Sequence, residues 1–428
     1  MKLTCFCVFL FICARFCGKI IRKTISERKE RLQTVSSDYF AAADIGTTSV
    51  VTALTDGDGT EIFRKTFYNP GRRFGADVIS RISYTVKHPE AAGSIGALMR
   101  GSVEKALTAG CEEHGVPIEK VRMISVVGNP AMELLFGGIS PEPLGMYPYR
   151  LPDGFGRYEG SIAGIPVHMG KLLSGFIGAD ALIGAAYLVY GRKSAAPLIG
   201  ADLGTNCECF CHDGNKTVFA SAAAGPAFEG GHIECGMGAL PGAVSGVTRG
   251  DAGPVLTVIG GGAARGFCGS GIISAAAYML GTGVIDGTGR MNPDAPGVYR
   301  GENGLCFGFG SGLYITQKDI RQIQTAKAAV AAGIEMISGH IGSGCADIVL
   351  TGAFGDSTDC AAAGIIGLIP RGKSFAAVGN AALEGALLFA RSEEFRHFSE
   401  RISGNSVCPD ISAEDVFQER FINNMNFQ

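Results

Sequence analysis

The chain has no surplus of basic charge: across its 428 residues, 37 Lys and Arg stand against 40 Asp and Glu, a net charge of −3. That balance excludes a nucleic-acid-binding surface, which needs clustered positive charge. Long hydrophobic runs are also missing. Leu3–Ala14 is the apolar stretch nearest the N-terminus, and it falls short of the ~20 residues that span a bilayer. No small-x-small cleavage site follows it. Without a clear secretory signal, the 14 scattered Cys read as reduced thiols of a cytoplasmic protein. Sequence periodicity and Ser/Pro low complexity are lacking too. The 64 Gly therefore belong neither to collagen nor to a linker. They concentrate in turns between apolar runs, which suits tight loops around a polyanion. A hydrophobic content of 46% describes a globular chain long enough for two domains.

Residues 1–40 differ from the rest. The apolar run has Cys5, Cys7, Cys13 and Cys17 around it, and Lys19, Arg22, Lys23, Arg28, Lys29 and Arg31 follow. A signal-like segment, an interfacial anchor and the wrongly chosen start of a truncated frame are the three expectations, the last being favoured.

What is present is a repeat. Asp44-Ile-Gly-Thr-Thr48 and Asp202-Leu-Gly-Thr-Asn206 share one pattern and similar surroundings. Each follows an apolar run and precedes a second one. An Asx-Gly turn comes next (Asp56-Gly-Asp-Gly59; Asp213-Gly-Asn-Lys216), then a third run (62–67; 217–223). Strand, Gly turn, strand, Asx-Gly turn, strand predicts a β-meander in each half. Two such turns can hold one nucleotide from both sides. Backbone N–H groups and hydroxyls would surround its phosphates, while Asp44 and Asp202 face one Mg2+, usually through water. Cys207, Cys209 and Cys211 lie on one face of the second strand. Three consecutive same-face positions, roughly 6.5–7 Å apart, do not easily converge on one tetrahedral ion. They read as core residues rather than metal ligands.

Between and after the meanders, apolar spacing predicts a helix over 95–115, a strand over 121–127 and a small-residue helix over 179–190. Gly269-Ser-Gly271 opens a further helix. Thr316-x-x-Asp319 is a capping box for a long one reaching about Ser338. Ile348–Leu350 is a strand broken at Thr351-Gly-Ala-Phe-Gly355, and Val378-Gly-Asn380 opens a final helix over 381–390. The predicted organisation has the atypical segment at 1–40, a first lobe at 41–196 and a second at 197–375. Residues 376–428 form a helix and tail returning to the first lobe. Gly367-Leu-Ile-Pro-Arg-Gly-Lys-Ser374 fits G-x-x-x-x-G-K-[ST], but a helix-like stretch precedes it and a strand-like one follows. A P-loop needs the reverse order.

The motif order resembles that of the acetate and sugar kinase/Hsp70/actin superfamily. More closely, it resembles the ATPase part of the reductive activators of corrinoid proteins. The segments that carry the likeness are Phe74–Ile82, Gly128-Asn-Pro-Ala-Met132, Ala224-Gly-Pro-Ala-Phe-Glu-Gly230, Gly266–Ile272, Thr316-Gln-Lys-Asp319 and Ile366-Gly-Leu-Ile-Pro370. The resemblance implies an α/β, two-lobed, duplicated ribonuclease H-like fold with a nucleotide cleft between the lobes.

It also implies an activity: ATP hydrolysis that drives a corrinoid protein of a methyltransferase system from Co(II) to Co(I). A small-molecule kinase and a non-catalytic nucleotide-binding regulator are the alternatives. Residues 1–40 lack the Cys spacing of a plant-type [2Fe–2S] centre. No iron–sulfur cluster is therefore expected in this chain, and a separate iron–sulfur donor is; a homodimer is allowed.

The implied cofactors are ATP and Mg2+. Thr47, Thr48, Thr205 and Asn206 would bind the β- and γ-phosphates, with Gly46 and Gly204 permitting close backbone approach. Gly352 and Gly355 would pass under the adenosine. Gly269 and Ser270 offer helix N–H groups to an anion or ribose, or else simply pack. Glu208 fits the family string Gly-Thr-Asn-x-Glu. Asp180 and Glu229 are candidates to orient the attacking water, Asp180 slightly ahead, unless it only caps its helix.

Overall fold

Val50 and the continuous buried run Thr52–Thr55 lie beside the all-buried Ala41–Ala43, and the two runs pair as strands around the first Asp-Gly-Thr turn. The computed structural model describes residues 38–427, except 154–157, 193–195, 303, 342–346, 353–358 and 371–374. The N-terminal segment, Gly355 and Lys373 of the P-loop-like string lie outside the described residues.

The first half contains β1 (Tyr39–Ile45), β2 (Ser49–Asp56), β3 (Glu61–Tyr68), α1 (Val78–Lys87), α2 (Ala91–His114), β4 (Val121–Gly128), α3 (Pro130–Phe136), β5 (Gly160–Ile162), β6 (Ile165–Met169) and α4 (Ala179–Tyr190). Its six strands run in the order β3-β2-β1-β4-β6-β5. The meander β1–β3 is antiparallel; β4 lies parallel to β1, and β6 parallel to β4.

The second half opens with another meander, β7 (Leu198–Leu203), β8 (Cys207–His212) and β9 (Thr217–Ala222). Two three-stranded sheets follow. One is β10 (Ala243–Gly250), β11 (Gly253–Val258) and β12 (Gly266–Phe267); the other is β13 (Val298–Gly301), β14 (Gly304–Gly310) and β15 (Leu313–Thr316). Helix α5 (Gly269–Gly281) lies between these two sheets in sequence. Then come α6 (Gln317–Ser338), β16 (Asp347–Thr351), α7 (Cys360–Ile365), β17 (Phe375–Ala377), α8 (Ala381–Arg391), α9 (Glu393–Gly404), β18 (Ser406–Val407) and α10 (Asp415–Asn423). The second large sheet is β17-β16-β7-β8-β9-β18, with β16 parallel to β7. Apart from their outer strands, the two sheets repeat one arrangement: an antiparallel meander extended by parallel strands on its first member.

Helices start and stop where local chemistry allows. Thr316 Oγ1 accepts from the Asp319 N–H at 3.0 Å and Asp319 Oδ2 from the Thr316 N–H at 2.9 Å, a reciprocal cap for α6. α2 ends at Gly115, whose φ of 65° is the left-handed geometry glycine tolerates. α4 and α8 lie together between the two large sheets. Their buried faces share one core with Ala42 and Val127 of the first sheet and with Phe210, Phe219 and Val349 of the second. The helices touch along small residues. A Cβ at Gly385 would stand 2.6 Å from the Ile183 carbonyl oxygen.

Two expectations are corrected. α8 is not the final helix, since α9 and α10 follow it. The tail returns to the first half only in part: α8 packs on β1 and β4, but β18 pairs with β9 and α10 lies on α6. The tail is pinned in the second half by donors from α6, as Gln324 and the fully buried Lys327 donate to the carbonyls of Met425 and Asn426. α7 precedes and β17 follows the P-loop-like string, the reverse of P-loop order. Cys207, Cys209 and Cys211 are fully or almost fully buried in the core between β8 and its neighbours.

Candidate functional site

Both Asp-Gly-Thr turns open onto one cleft of about 300 Å³ between the two large sheets. Tight geometry shapes each turn. A Cβ at Gly46 would meet the Ser49 carbonyl oxygen at 2.7 Å, and the Gly204 N–H closes the second turn onto the Asn206 carbonyl at 3.0 Å. Thr47, Thr48, Thr205 and Asn206 line the cleft beside Asp44, Asp180, Asp202, Glu208 and Glu229. Glu229 joins the two turns. Its Oε2 accepts from the hydroxyls of Thr48 and Thr205, each at 2.8 Å, and its Oε1 from the Thr205 N–H at 3.0 Å.

Asp44 sits near the end of β1, and Asn380 at the N-cap of α8 donates to its Oδ2 at 2.6 Å. Asp202 stands opposite Glu208 across β7 and β8, and opposite Thr351 on β16. Gly352 has a φ of 106°, and a Cβ there would reach Asp202 Oδ1 at 2.5 Å, so only glycine lets the chain pass here. Asp180 lies in the first turn of α4. Gly178 is the N-cap, so Asp180 is not, although its Oδ1 accepts from the Ala181 N–H at 2.7 Å.

Ser270 is not brought to the cleft. It is 2% exposed and its hydroxyl meets Cys268 Sγ at 3.3 Å. The neighbouring Gly271 has the Val244 carbonyl where a Cβ would be, so this helix start packs against β10. Of that string, Gly269 lines the cleft.

The carboxyls lie at the bottom of the cleft, partly open to it but walled by protein, and their charged forms are disfavoured. Burial pushes Asp44 up to about 6, eased by the Asn380 hydrogen bond. Burial and then the nearby Asp44 push Asp180 up to about 7. Burial followed by repulsion from Asp180, Asp44 and Glu229 pushes Asp202 up to about 8. Glu208 is raised for the same reasons, with Asp180 and Asp202 as its neighbours.

A cluster of carboxylates that repel one another suits a divalent cation. Among the described residues, however, no three His, Cys, Asp or Glu side chains are grouped to hold an ion directly. The residues therefore fit Mg2+ in the form it prefers: few protein ligands, several waters, and phosphate oxygens.

Stability should follow pH accordingly. Each of the three Asp carboxyls has an ordinary value of 3.8 and is raised in the fold. Its contribution is thus fully present below about pH 4 and is lost as pH rises through 6, 7 and 8. Without nucleotide or metal, the melting temperature should fall between pH 5 and pH 8.5, and Mg·ATP should stabilise more at the upper end. A flat profile by scanning calorimetry would contradict this electrostatic account.

The sequence reading assigned no site role to several supporting residues. Asn129, the N-cap of α3, donates to Thr47 Oγ1 at 3.1 Å. Arg81 of α1 is fully buried and donates to the Thr47 carbonyl at 2.6 Å. Glu133 Oε1 accepts from the N–H groups of Gly128 and Ala179, each at 3.1 Å, tying the end of β4 to the start of α4. One signal was available. Gly-Asn stands before a helix in both halves, at Gly128-Asn129 and Gly379-Asn380, and both asparagines cap their helix while gripping the first phosphate turn.

Two repeated sheets clasping a cleft with a phosphate turn from each define a protein of the acetate and sugar kinase/Hsp70/actin class. Comparison with known proteins narrows this. Residues 39–190 match the RACo middle region, and residues 197–428 match the C-terminal domain of RACo, the ASKHA domain. The corrinoid activation enzyme RamQ of Eubacterium limosum is 32% identical over 424 residues, covering 91% of this chain and 70% of that protein. A [Co(II) methylated amine-specific corrinoid protein] reductase of Methanosarcina barkeri is 34% identical over 181 residues, 36% of this chain and 31% of that one. A solved reductive activator for corrinoid, iron–sulfur protein superposes with a TM-score of 0.82 at 28% identity, over 92% of this chain and 67% of that chain. The chain belongs to the RACo family of corrinoid-protein reductive activators.

Proposed function

We propose that the protein binds and hydrolyses ATP to drive reduction of an inactive Co(II) corrinoid protein to Co(I), with electrons from a separate iron–sulfur donor. The observation that carries this reading is the pair of phosphate turns facing one acid-lined cleft, in a chain whose relatives are named for activating corrinoid proteins. Thr47, Thr48, Thr205 and Asn206 would hold the β- and γ-phosphates. Gly352 would pass under the adenosine. Mg2+, when bound through Asp44 and Asp202, would neutralise charge on the phosphates.

Asp180 is our choice to orient the attacking water. α4, which carries it, lies between the two large sheets, so a change in the angle between lobes moves Asp180 relative to the γ-phosphate. Partner binding that favours the closed arrangement would then accelerate turnover. The free thiols among the described cysteines suit a reducing compartment, the cytoplasm, and no helix among the described residues is long and apolar enough to cross a membrane.

The test follows the visible spectrum of a Co(II) corrinoid protein mixed with ATP, a reduced ferredoxin-like donor and this protein. Co(I) should appear only when ATP is present, and the corrinoid protein should speed ATP hydrolysis. A phosphorylated metabolite with no spectral change would replace this reading with the kinase. Tight nucleotide binding with no turnover would leave the regulator.

A further inference from the structure

We propose that Glu229 is an internal anion that competes with the terminal phosphate of ATP, so that this one side chain lowers the protein's preference for ATP over ADP. The inference rests on the nucleotide reading above and deepens it. Both oxygens of Glu229 are engaged, and every donor to them belongs to a phosphate turn: Thr48 in the first half, and the Thr205 hydroxyl and N–H in the second. Two hydroxyls from opposite sides converging on one oxygen is the contact set a terminal phosphate oxygen would use. Carboxylate and phosphate cannot both have those donors, and their charges repel at that distance.

The placement of Glu229 is built into the fold rather than left to a flexible rim. Pro226–Glu229 forms one 3-10 turn between Gly225 and Gly230, whose φ values are 76° and 79°. A Cβ at Gly230 would stand 2.5 Å from the Met237 backbone nitrogen, so the turn is pressed against its neighbour. Phe228, fully buried, anchors it in the second core. In this proposal the Thr48 and Thr205 hydroxyls that Glu229 occupies are the donors to the γ-phosphate, which ADP lacks, and the β-phosphate is left to Thr47 and Asn206. Only ATP has to displace the carboxylate.

The experiment measures, by calorimetry in Mg2+, the affinities of wild type, E229A and E229Q for a non-hydrolysable ATP analogue and for ADP. E229A should bind the analogue on the order of tenfold tighter while ADP affinity stays within about threefold. E229Q keeps the shape but not the charge and should fall between. Thermal melts establish that both variants are folded. If E229A does not fold, E229Q carries the test, with a gain of about threefold for the analogue alone. A folded variant with an unchanged analogue-to-ADP ratio, or with weaker analogue binding, overturns the inference while the nucleotide reading stands. Failure of the wild type to bind either nucleotide overturns both.

Discussion

Asp202→Asn and Asp44→Asn are each expected to cut Mg·ATP affinity by about 100-fold or more, roughly 2.7 kcal/mol, while the variants melt higher than the wild type without nucleotide. The two effects have one origin. Asp202 is held near 8 by burial and by repulsion from Asp180, Asp44 and Glu229, and Asp44 near 6 mainly by burial. On the proposed reading a cation shell and triphosphate would make use of those charges; the unliganded protein is destabilised by them. Asn keeps the size and hydrogen-bonding shape but carries no charge, so it removes the cost of the buried charge together with the cation's reason to bind. A gain of about 1 kcal/mol would raise the melting temperature by about 1 °C in a protein of this size. The magnesium dependence should vanish along with the affinity. Unchanged Mg·ATP binding in both variants, measured by calorimetry, would end the two-turn account of the cleft.

The sequence makes the repeat visible because the turns are local: Asp, Gly and Thr at fixed spacing, with apolar runs on either side, dictate strand–turn–strand without any distant partner. The same holds for the reciprocal cap at Thr316 and Asp319 and for the small-residue helix at 179–190. Those strings place Asp44, Asp202, Thr47, Thr48, Thr205 and Glu229 around one cleft. What depends on distant contact was not legible. α9 buries Phe395, Ser399 and Ile402 but is otherwise polar, so its pattern is weak until α4 and α8 are there to receive it. The tail goes to α6 because Gln324 and Lys327 wait there as buried donors, and nothing in residues 421–427 announces them. Ser270 opens a helix in the sequence, but β10 lies across that opening. Arg81 sits in a string that resembles the family, yet its contact with a turn many residues away emerges only from the fold.

That arginine carries the second large expectation. Arg81 has no exposed surface, and its guanidinium reaches three places at once: the Gly75 carbonyl at 2.9 Å, the Thr47 carbonyl at 2.6 Å and Met132 Sδ at 3.0 Å. Burial lowers it to about 10, which still leaves it charged at neutral pH. Arg81→Met fills similar space but leaves two buried carbonyls without their donor. A loss of about 3 kcal/mol is expected, with melting lowered by roughly 3 °C. The phosphate turn suffers more selectively. Thr47 is held at its carbonyl by Arg81 and at its hydroxyl by Asn129, and releasing the first frees its backbone to leave the geometry proposed to meet a phosphate. Mg·ATP affinity should fall by about tenfold at a temperature where the variant is still folded. Arg81→Lys keeps the charge but cannot span the three acceptors, so it should recover part of the affinity and less of the stability. A variant Arg81→Met that melts within about 1 °C of wild type and binds nucleotide normally would mean that the turn holds its shape without α1.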